Sequence, residues 1–236
     1  VINGYESMTG QINAELKKPL TSEKMFFNLF RSFEGRNELN FHTKTTLSSK
    51  LSANLFVHFN QLSEKIDRNN DGFLDLPLSE QVNILSRFQY FDTEKGWVSF
   101  FNIRFLQDDK IFGQGNFLPK LHKNTTSIWG SEIMTNRYES SLKIGYVFPD
   151  LPYQSFGMQL SYSDHSQESY FGLRTYDINH KSGFANLLFN SIFGNTLHKF
   201  KTGIQFAYDA YDELIENQTS NRIDRSVGAF FEYSYD

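Results

Sequence analysis

Residues 38–60 read ELNFHTKTTLSSKLSANLFVHFN, with apolar and polar side chains alternating through both halves of the stretch. One face carries Leu39, Phe41, Thr43, Thr45 and Leu47 in the first half and Leu51, Ala53, Leu55, Val57 and Phe59 in the second. A period of two indicates β-strand, because successive side chains leave opposite faces of the pleat. The polar residues Ser48, Ser49 and Lys50 separate the two runs, so the sequence predicts an antiparallel hairpin with a tight turn.

Both strands of this hairpin are long. Each is close to the length of about 9–11 residues with which a tilted strand crosses a membrane. Similar segments are predicted elsewhere in the chain, at about 23–33, 82–91, 97–105, 138–148, 156–162, 184–193, 200–208 and 227–235. The chain therefore contains about ten predicted strands.

The predicted connections alternate between short turns and long polar loops. The long ones lie near 61–83, 107–133, 164–182 and 209–221, with room for a strand at 169–176 inside the third. Short turns at one end and long loops at the other are typical of an up-and-down barrel in an outer membrane. We therefore predict an all-β fold, a partial antiparallel up-and-down transmembrane β-barrel of about ten strands.

The composition fits a protein whose apolar surface is a thin band. Apolar residues make up only 39% of the chain, but 17% is aromatic, so the few apolar side chains are large. Arg104, Lys143, Lys199 and Lys201 fall on the polar faces of their strands. A lipid-facing side requires this, because Lys or Arg there costs about 2–4 kcal/mol at mid-bilayer. Alternation alone fits equally a soluble antiparallel sheet with one face on a core.

The sequence disfavours several other classes of protein. Its 23 basic and 27 acidic residues give no basic excess for a nucleic-acid partner. No run of about 18 apolar residues predicts a transmembrane helix, and the lack of cysteine excludes disulfides and thiolate metal sites. Neither a Gly-x-Ser-x-Gly elbow nor a His-Glu-x-x-His pair occurs, so no enzyme activity is predicted.

The sharpest local motif is a run of oxygen-bearing side chains at alternate positions in the first long loop. It matches the start of an EF-hand calcium loop, with Gly72 at the sixth position. The candidate Ca²⁺ ligands are the side chains of Asp67, Asn69, Asp71 and Asp75 and the carbonyl of Phe73. The twelfth position is Leu78 instead of the expected bidentate Glu, with Glu80 two residues further on. The same residue types equally form the turns of a solvated loop.

Two of the histidines, His42 and His58, point the same way on the paired strands of the first hairpin. We expect both to line the interior of the barrel as diagonal neighbours, about 7–8 Å apart. Either ordinary polar lining or a metal or ligand role is compatible with that placement.

Three stretches resemble TonB-dependent outer-membrane receptors. Residues 4–19, GYESMTGQINAELKKP, are similar to the junction between plug and barrel. Residues 67–77, DRNNDGFLDLP, look like the first long external loop of receptors of the Bacteroidetes type. Residues 191–203, SIFGNTLHKFKTG, are similar to barrel segments of that family.

The resemblance implies two regions and a transport function. Residues 1–20 would be the end of the plug domain and the plug–barrel junction, and residues 21–236 the N-terminal half of a transmembrane barrel. The family imports scarce nutrients, such as a metal complex, cobalamin or glycan, through a plugged barrel of the bacterial outer membrane. The expected partners are outer-membrane lipid, the remainder of barrel and plug, the TonB complex through the plug, and a surface lipoprotein.

Two departures from the family pattern lead us to expect a fragment. The chain holds only the last piece of a plug and stops near the tenth or eleventh strand, short of barrel closure. Two alternative functions remain open from the sequence. One is a passive porin or outer-membrane barrel enzyme, and the other is a soluble calcium-dependent binding module built on a β-sandwich.

Overall fold

Ten antiparallel strands follow one another along the chain, and each pairs with the next in a single sheet. The computed structural model describes residues 15–236. The strands are β1 (Met25–Arg31), β2 (Arg36–Thr46), β3 (Leu51–Leu62), β4 (Leu78–Asp92), β5 (Trp97–Gly113), β6 (Gly130–Phe148), β7 (Leu151–Phe171), β8 (Arg174–Ile192), β9 (His198–Ile215) and β10 (Gln218–Tyr235). One short helix, α1 (Pro119–His122), lies between β5 and β6.

The predicted all-β fold, one antiparallel up-and-down sheet of about ten strands, is confirmed. The sheet is a simple meander in which β1 and β10 have one neighbour each, so it is not closed and corresponds to a partial barrel. Most of the predicted plug segment 1–20 falls on residues 1–14, outside the described part of the chain. In residues 15–236, no helix has the length and apolar character needed to span a bilayer.

The connections separate into two ends of the sheet. The short-turn end comprises residues 47–50, 93–96, 149–150 and 193–197, and the long-loop end comprises residues 32–35, 63–77, 114–129, 172–173 and 216–217. The first two predicted long loops, near 61–83 and 107–133, are therefore present but shorter than predicted, at residues 63–77 and 114–129. The predicted asymmetry between the ends holds for these two loops.

The other two predicted long loops, near 164–182 and 209–221, are wrong as loops. β7 and β8 run through the first of them and turn at residues 172–173, and β9 and β10 run through the second and turn at 216–217. Both faces of these strand ends carry polar side chains, for example Asp164 beside His165. Pairing with the neighbouring strand extends them, although no apolar face marks them in the sequence.

The sheet has two chemically different faces. One face carries Asn40, His58, Asn83, Arg104 and Glu139, which line a common cavity, and we call it the cavity face. The opposite face, here the outer face, carries the apolar residues of the alternating pattern. The predicted assignment of the charged side chains of β5 and β6 to one face is therefore confirmed by Arg104 and Glu139.

An uninterrupted apolar row crosses the outer face from β3 to β10. Its members, opposite one another in register, are Ala53, Phe88, Phe101, Leu142, Leu160, Ala185, Phe206 and Val227. The side chain of Val227 is 75% exposed, and Phe101, Leu160 and Phe206 are each 39% exposed. Ala53 is the one buried member of the row and the others are half-buried or exposed, so the row is not the core-facing side of a sandwich.

Aromatic side chains border the apolar band on β5 and β6. Trp97 and Tyr146 lie with ring centroids 4.5 Å apart near the short-turn end, and Phe105 and Tyr138 lie 5.2 Å apart towards the long-loop end. The two borders are separated by eight residues on each strand. At about 3.3 Å per residue and a tilt of about 40°, this corresponds to about 20 Å of height.

A part-buried ion pair joins turn 47–50 to the end of β4 at the short-turn end. The Lys50 ammonium donates to the Asp92 carboxylate over 2.6 Å, and the Asp92 side chain is 1% exposed. The backbone N–H of Phe91 donates to the Lys50 carbonyl at 2.9 Å. The hydrogen bond to Asp92 raises the pKa of Lys50. The stability that the charged Lys50 contributes is therefore lost only as pH rises through this raised pKa.

Candidate functional site: the cavity face

A cavity of about 1090 Å³ lies against the cavity face between β1 and β8. Most of the residues that line it are polar, although apolar side chains such as Leu16, Phe26, Phe56 and Leu85 also contribute to the wall. The polar ones include Asn28, Asn40, His42, His58, Asn83, Asn102, Arg104, Arg137, Glu139, Ser161 and Ser163. Cavities that hold small molecules are typically about 300–1,000 Å³ with a few well-placed polar groups. The size and lining suit a ligand that carries hydrogen-bonding groups.

The N-terminal segment 15–24 closes one side of this cavity. Glu15, Leu16 and Lys17 contribute to its lining. The segment is fixed to the sheet by hydrogen bonds from the Asn54 amide to the Ser22 hydroxyl at 2.9 Å and from the Lys44 ammonium to the Ser22 carbonyl at 3.0 Å. Glu23 accepts a hydrogen bond from Lys17 at 2.8 Å, which is the main reason that the pKa of Glu23 is lowered to about 2. The chain thus enters the sheet from the cavity side.

An arginine–carboxylate cluster lies at the centre of the wall. Arg104 on β5 donates to the Glu139 carboxylate at 3.1 Å and to the Asn83 amide oxygen at 3.0 Å. Arg137 lies 2.7 Å from the other Glu139 oxygen. Two guanidinium groups therefore share one carboxylate, which leaves one positive charge in excess at this point of the cavity.

Both histidines of the first hairpin line the cavity, as predicted. His58 hydrogen-bonds to Asn40 at 2.7 Å, while the His42 ring stacks on Phe26 at 5.2 Å between centroids. Each ring is therefore engaged by its own neighbour. Among residues 15–236, no group of three or more His, Asp or Glu side chains is placed to hold a metal ion.

The five predicted calcium ligands lie in loop 63–77 at the long-loop end, away from the cavity wall. Asp67 accepts hydrogen bonds from the backbone N–H groups of Asp71 and Gly72, at 3.2 and 2.9 Å. Asp71 accepts one from Phe73 at 2.8 Å, and Asn69 donates to Asp71 at 2.9 Å. The turn therefore brings Asp67, Asn69 and Asp71 together, but it uses their oxygens for the backbone.

The remaining positions of the motif fit calcium less well. Asp75 accepts from the backbone N–H of Arg68 at 2.9 Å. Leu78, at the twelfth position, begins β4, and Glu80 lies in that strand near the Gln61 amide at 3.5 Å. No bidentate carboxylate is therefore provided from the positions that an EF-hand uses. The calcium site stays a prediction.

Sequence reasoning missed the polar groups of β7 to β10 that face the cavity side. His180 lies 2.9 Å from Asp209, and its ring stacks on Tyr211 with centroids 4.2 Å apart. Arg222 lies 4.4 Å from the Tyr211 ring and 2.9 Å from Asp224. The alternation would have assigned these residues to one face had the predicted strands at 184–193 and 227–235 been started earlier and the strand at 200–208 been continued beyond Tyr208.

No protein family, curated protein or solved structure matches this chain.

Proposed function

We propose that this chain is part of a TonB-dependent receptor of the bacterial outer membrane that imports a scarce nutrient. Ligand would bind at the long-loop end and in the interior, and energy-coupled release would carry it past a plug. The observation that carries the proposal is the apolar row of the outer face opposite a wall of polar and charged side chains. A membrane barrel with a hydrated interior needs this division.

The aromatic borders support a lipid environment for the outer face. Trp and Tyr favour the membrane–water interface, where the ring is partly apolar and the polar atom stays hydrated. Trp97 and Tyr146 form one border and Phe105 and Tyr138 the other. Their separation of about 20 Å approaches the apolar band of about 25 Å in outer-membrane barrels.

The unpaired edges of β1 and β10 support a need for further strands. Unpaired N–H and C=O groups in hydrocarbon cost several kcal/mol each, so a sheet in a bilayer must close on itself. The remainder of the barrel and its plug would supply this closure. The TonB complex, reached through the plug, and a surface lipoprotein are the further proposed partners.

Site-directed labelling tests the membrane orientation. The sequence has no cysteine, so Lys120→Cys in loop 114–129 and Lys95→Cys in turn 93–96 each introduce one thiol into this chain. In intact cells that produce the whole gene product, a membrane-impermeant maleimide should label Lys120→Cys. It should label the matched Lys95→Cys only after lysis. Equal labelling of both variants in intact cells would contradict the proposed orientation.

A second experiment separates an energised receptor from a passive porin. Growth on a panel of limiting nutrients should show the same defect in a strain that lacks the gene and in a strain that lacks TonB. A porin would give a defect that does not depend on TonB and would make liposomes permeable to small sugars. The sandwich alternative lacks support from the fold, because residues 15–236 form one sheet.

A further inference from the structure

One register row on the cavity face crosses all ten strands of the sheet. The residues directly opposite one another, from β1 to β10, are Asn28, Asn40, His58, Asn83, Leu106, Arg137, His165, His180, Tyr211 and Arg222. We call this set the donor row. Nine of its ten members carry a hydrogen-bond donor, and none is a carboxylate.

Glu38, Asp108 and Glu213 lie in the neighbouring row of the cavity face on the long-loop side. Three further carboxylates lie in the adjacent row, two residues nearer the short-turn end. Glu139, Asp209 and Asp224 occupy that row on β6, β9 and β10. Each lies within ion-pair distance of a member of the donor row on its own or the neighbouring strand, at 2.7 to 2.9 Å. These pairs fix the positions of the donors without placing an acid in the row itself.

Contacts along the row hold its side chains in place before any ligand arrives. His58 is hydrogen-bonded to Asn40 at 2.7 Å. Towards the β10 edge of the same face, the His180 and Tyr211 rings are stacked with an interplanar angle of 3°, and Arg222 packs on Tyr211. Donors held in this way lose little conformational entropy when they bind a ligand.

The middle of the row has unused binding capacity. Arg137 Nε and His165 Nδ1 are buried and have no hydrogen-bond partner among the described residues. Arg137 and His165 are directly opposite on β6 and β7. Arg104, one row away, shares Glu139 with Arg137, so two guanidinium charges face one carboxylate. An anion with several oxygen acceptors would satisfy Arg137 Nε, His165 in the tautomer that carries its proton on Nδ1, and the excess positive charge.

We propose that Arg137 and His165 of the donor row, together with Arg104 of the adjacent row, bind a small oxygen-rich anion, such as a carboxylate, sulfate or phosphate group of the ligand. This inference deepens the proposed function, on which it rests, by naming the chemical class of the transported solute. Arg137 provides the charge and a forked pair of donors, which matches the geometry of a carboxylate or phosphate. The polar cavity beside it leaves room for the rest of the solute.

Calorimetric titration of the detergent-solubilised whole protein with citrate at low salt tests the proposal. We expect saturable binding of citrate and no binding of the neutral polyol mannitol. Arg137→Gln should weaken citrate binding by about 10-fold or more, because a charge-assisted hydrogen bond is lost. The matched variant Lys143→Gln removes a positive charge from the same face of β6, outside the donor row, and should change the Kd by less than about 2-fold.

A second variant keeps the test decisive if Arg137→Gln does not fold. His165→Phe replaces the imidazole by an aromatic ring without nitrogen atoms. It should therefore also weaken citrate binding while leaving the circular dichroism spectrum unchanged. The proposal is overturned if the parent protein does not bind citrate, or if the Arg137 and Lys143 variants weaken it equally. If citrate binds as expected but the thiol labelling fails, the donor row stands and the proposed transport function falls. If labelling succeeds without citrate binding, only the donor-row proposal falls.

Discussion

Gly96 and Gly194 lie in two turns of the short-turn end and have almost the same backbone conformation, with φ of +72° and +73°. Their surroundings differ. A Cβ on Gly96 would overlap the carbonyl oxygen of Val147, whereas nothing lies within 4 Å of the corresponding position at Gly194. The close approach belongs to a backbone hydrogen bond from Val147 to Gly96 of 2.9 Å, which ties turn 93–96 to β6.

The two glycines provide a matched pair of substitutions. Gly194→Ala should lower the free energy of unfolding by about 1–2 kcal/mol, the strain of placing alanine in the left-handed conformation. Gly96→Ala should cost more, because the methyl group must also displace the Val147 backbone and weaken its hydrogen bond. Urea unfolding midpoints of the two variants in the same detergent measure the difference. Equal midpoints would show that turn 93–96 can move away from β6 without cost.

At the level of elements, loop 114–129 packs on the β6–β7 hairpin through a buried aromatic contact. Phe117 is 4% exposed and Tyr170 is 2% exposed, and their rings meet edge to face at 6.4 Å. Lys123 lies over the same Tyr170 ring at 4.9 Å. Loop 63–77 joins the group through Phe73, whose ring lies 6.2 Å from Trp129. The two long loops and the hairpin therefore form one packed unit.

Phe117→Ala should release loop 114–129 from this unit. Replacing a buried Phe by Ala typically costs about 3–5 kcal/mol of stability. Because loop 114–129 lies outside the strand ladder, we expect this loss to lower the free energy of opening the loop and not that of unfolding the sheet. Hydrogen exchange should become faster at residues 114–129 while the amides of β3 and β4 keep their protection. Leu121→Ala is the control, since Leu121 is 68% exposed and should leave exchange unchanged. Uniformly faster exchange across the sheet after Phe117→Ala would contradict a local anchor.

At the scale of the whole molecule, the two faces of the sheet must meet different surroundings. Leu160 and Ser161 are neighbours on β7, but Leu160 belongs to the apolar row of the outer face and Ser161 lines the cavity. If lipid covers the outer face, an arginine is costly at residue 160 and tolerated at residue 161. A one-residue step therefore distinguishes lipid from water as the neighbour of each face.

Leu160→Arg should lower the free energy of unfolding from lipid vesicles by about 2–4 kcal/mol, the cost of Arg near mid-bilayer. Ser161→Arg, with the same added charge on the cavity face, should change it by less than about 1 kcal/mol. Reversible denaturant titration of the whole protein in vesicles measures both values. Similar losses for the two variants would remove the main support for a lipid-facing side.

Much of the architecture could be predicted from residues 38–60 and similar stretches, because alternation is a local property of the pleat. It predicted the first hairpin, the outer position of Leu55, and the interior position of His58. It failed for residues 164–171, where Asp164 and its neighbours are polar on both faces. There the strand is formed by pairing with β6 and β8, an interaction with distant residues that a local pattern does not contain.

The sequence by itself determined the strands with one apolar face, the side on which each of their residues falls, and the short turns between many of them. Only the tertiary structure decided which residues stand opposite one another. The donor row consists of residues far apart in the chain, and a shift of one residue in any strand pair would replace its polar members by outer-face residues. Register follows from the hydrogen-bond ladder of the assembled sheet, so the candidate site emerges only when all ten strands are paired.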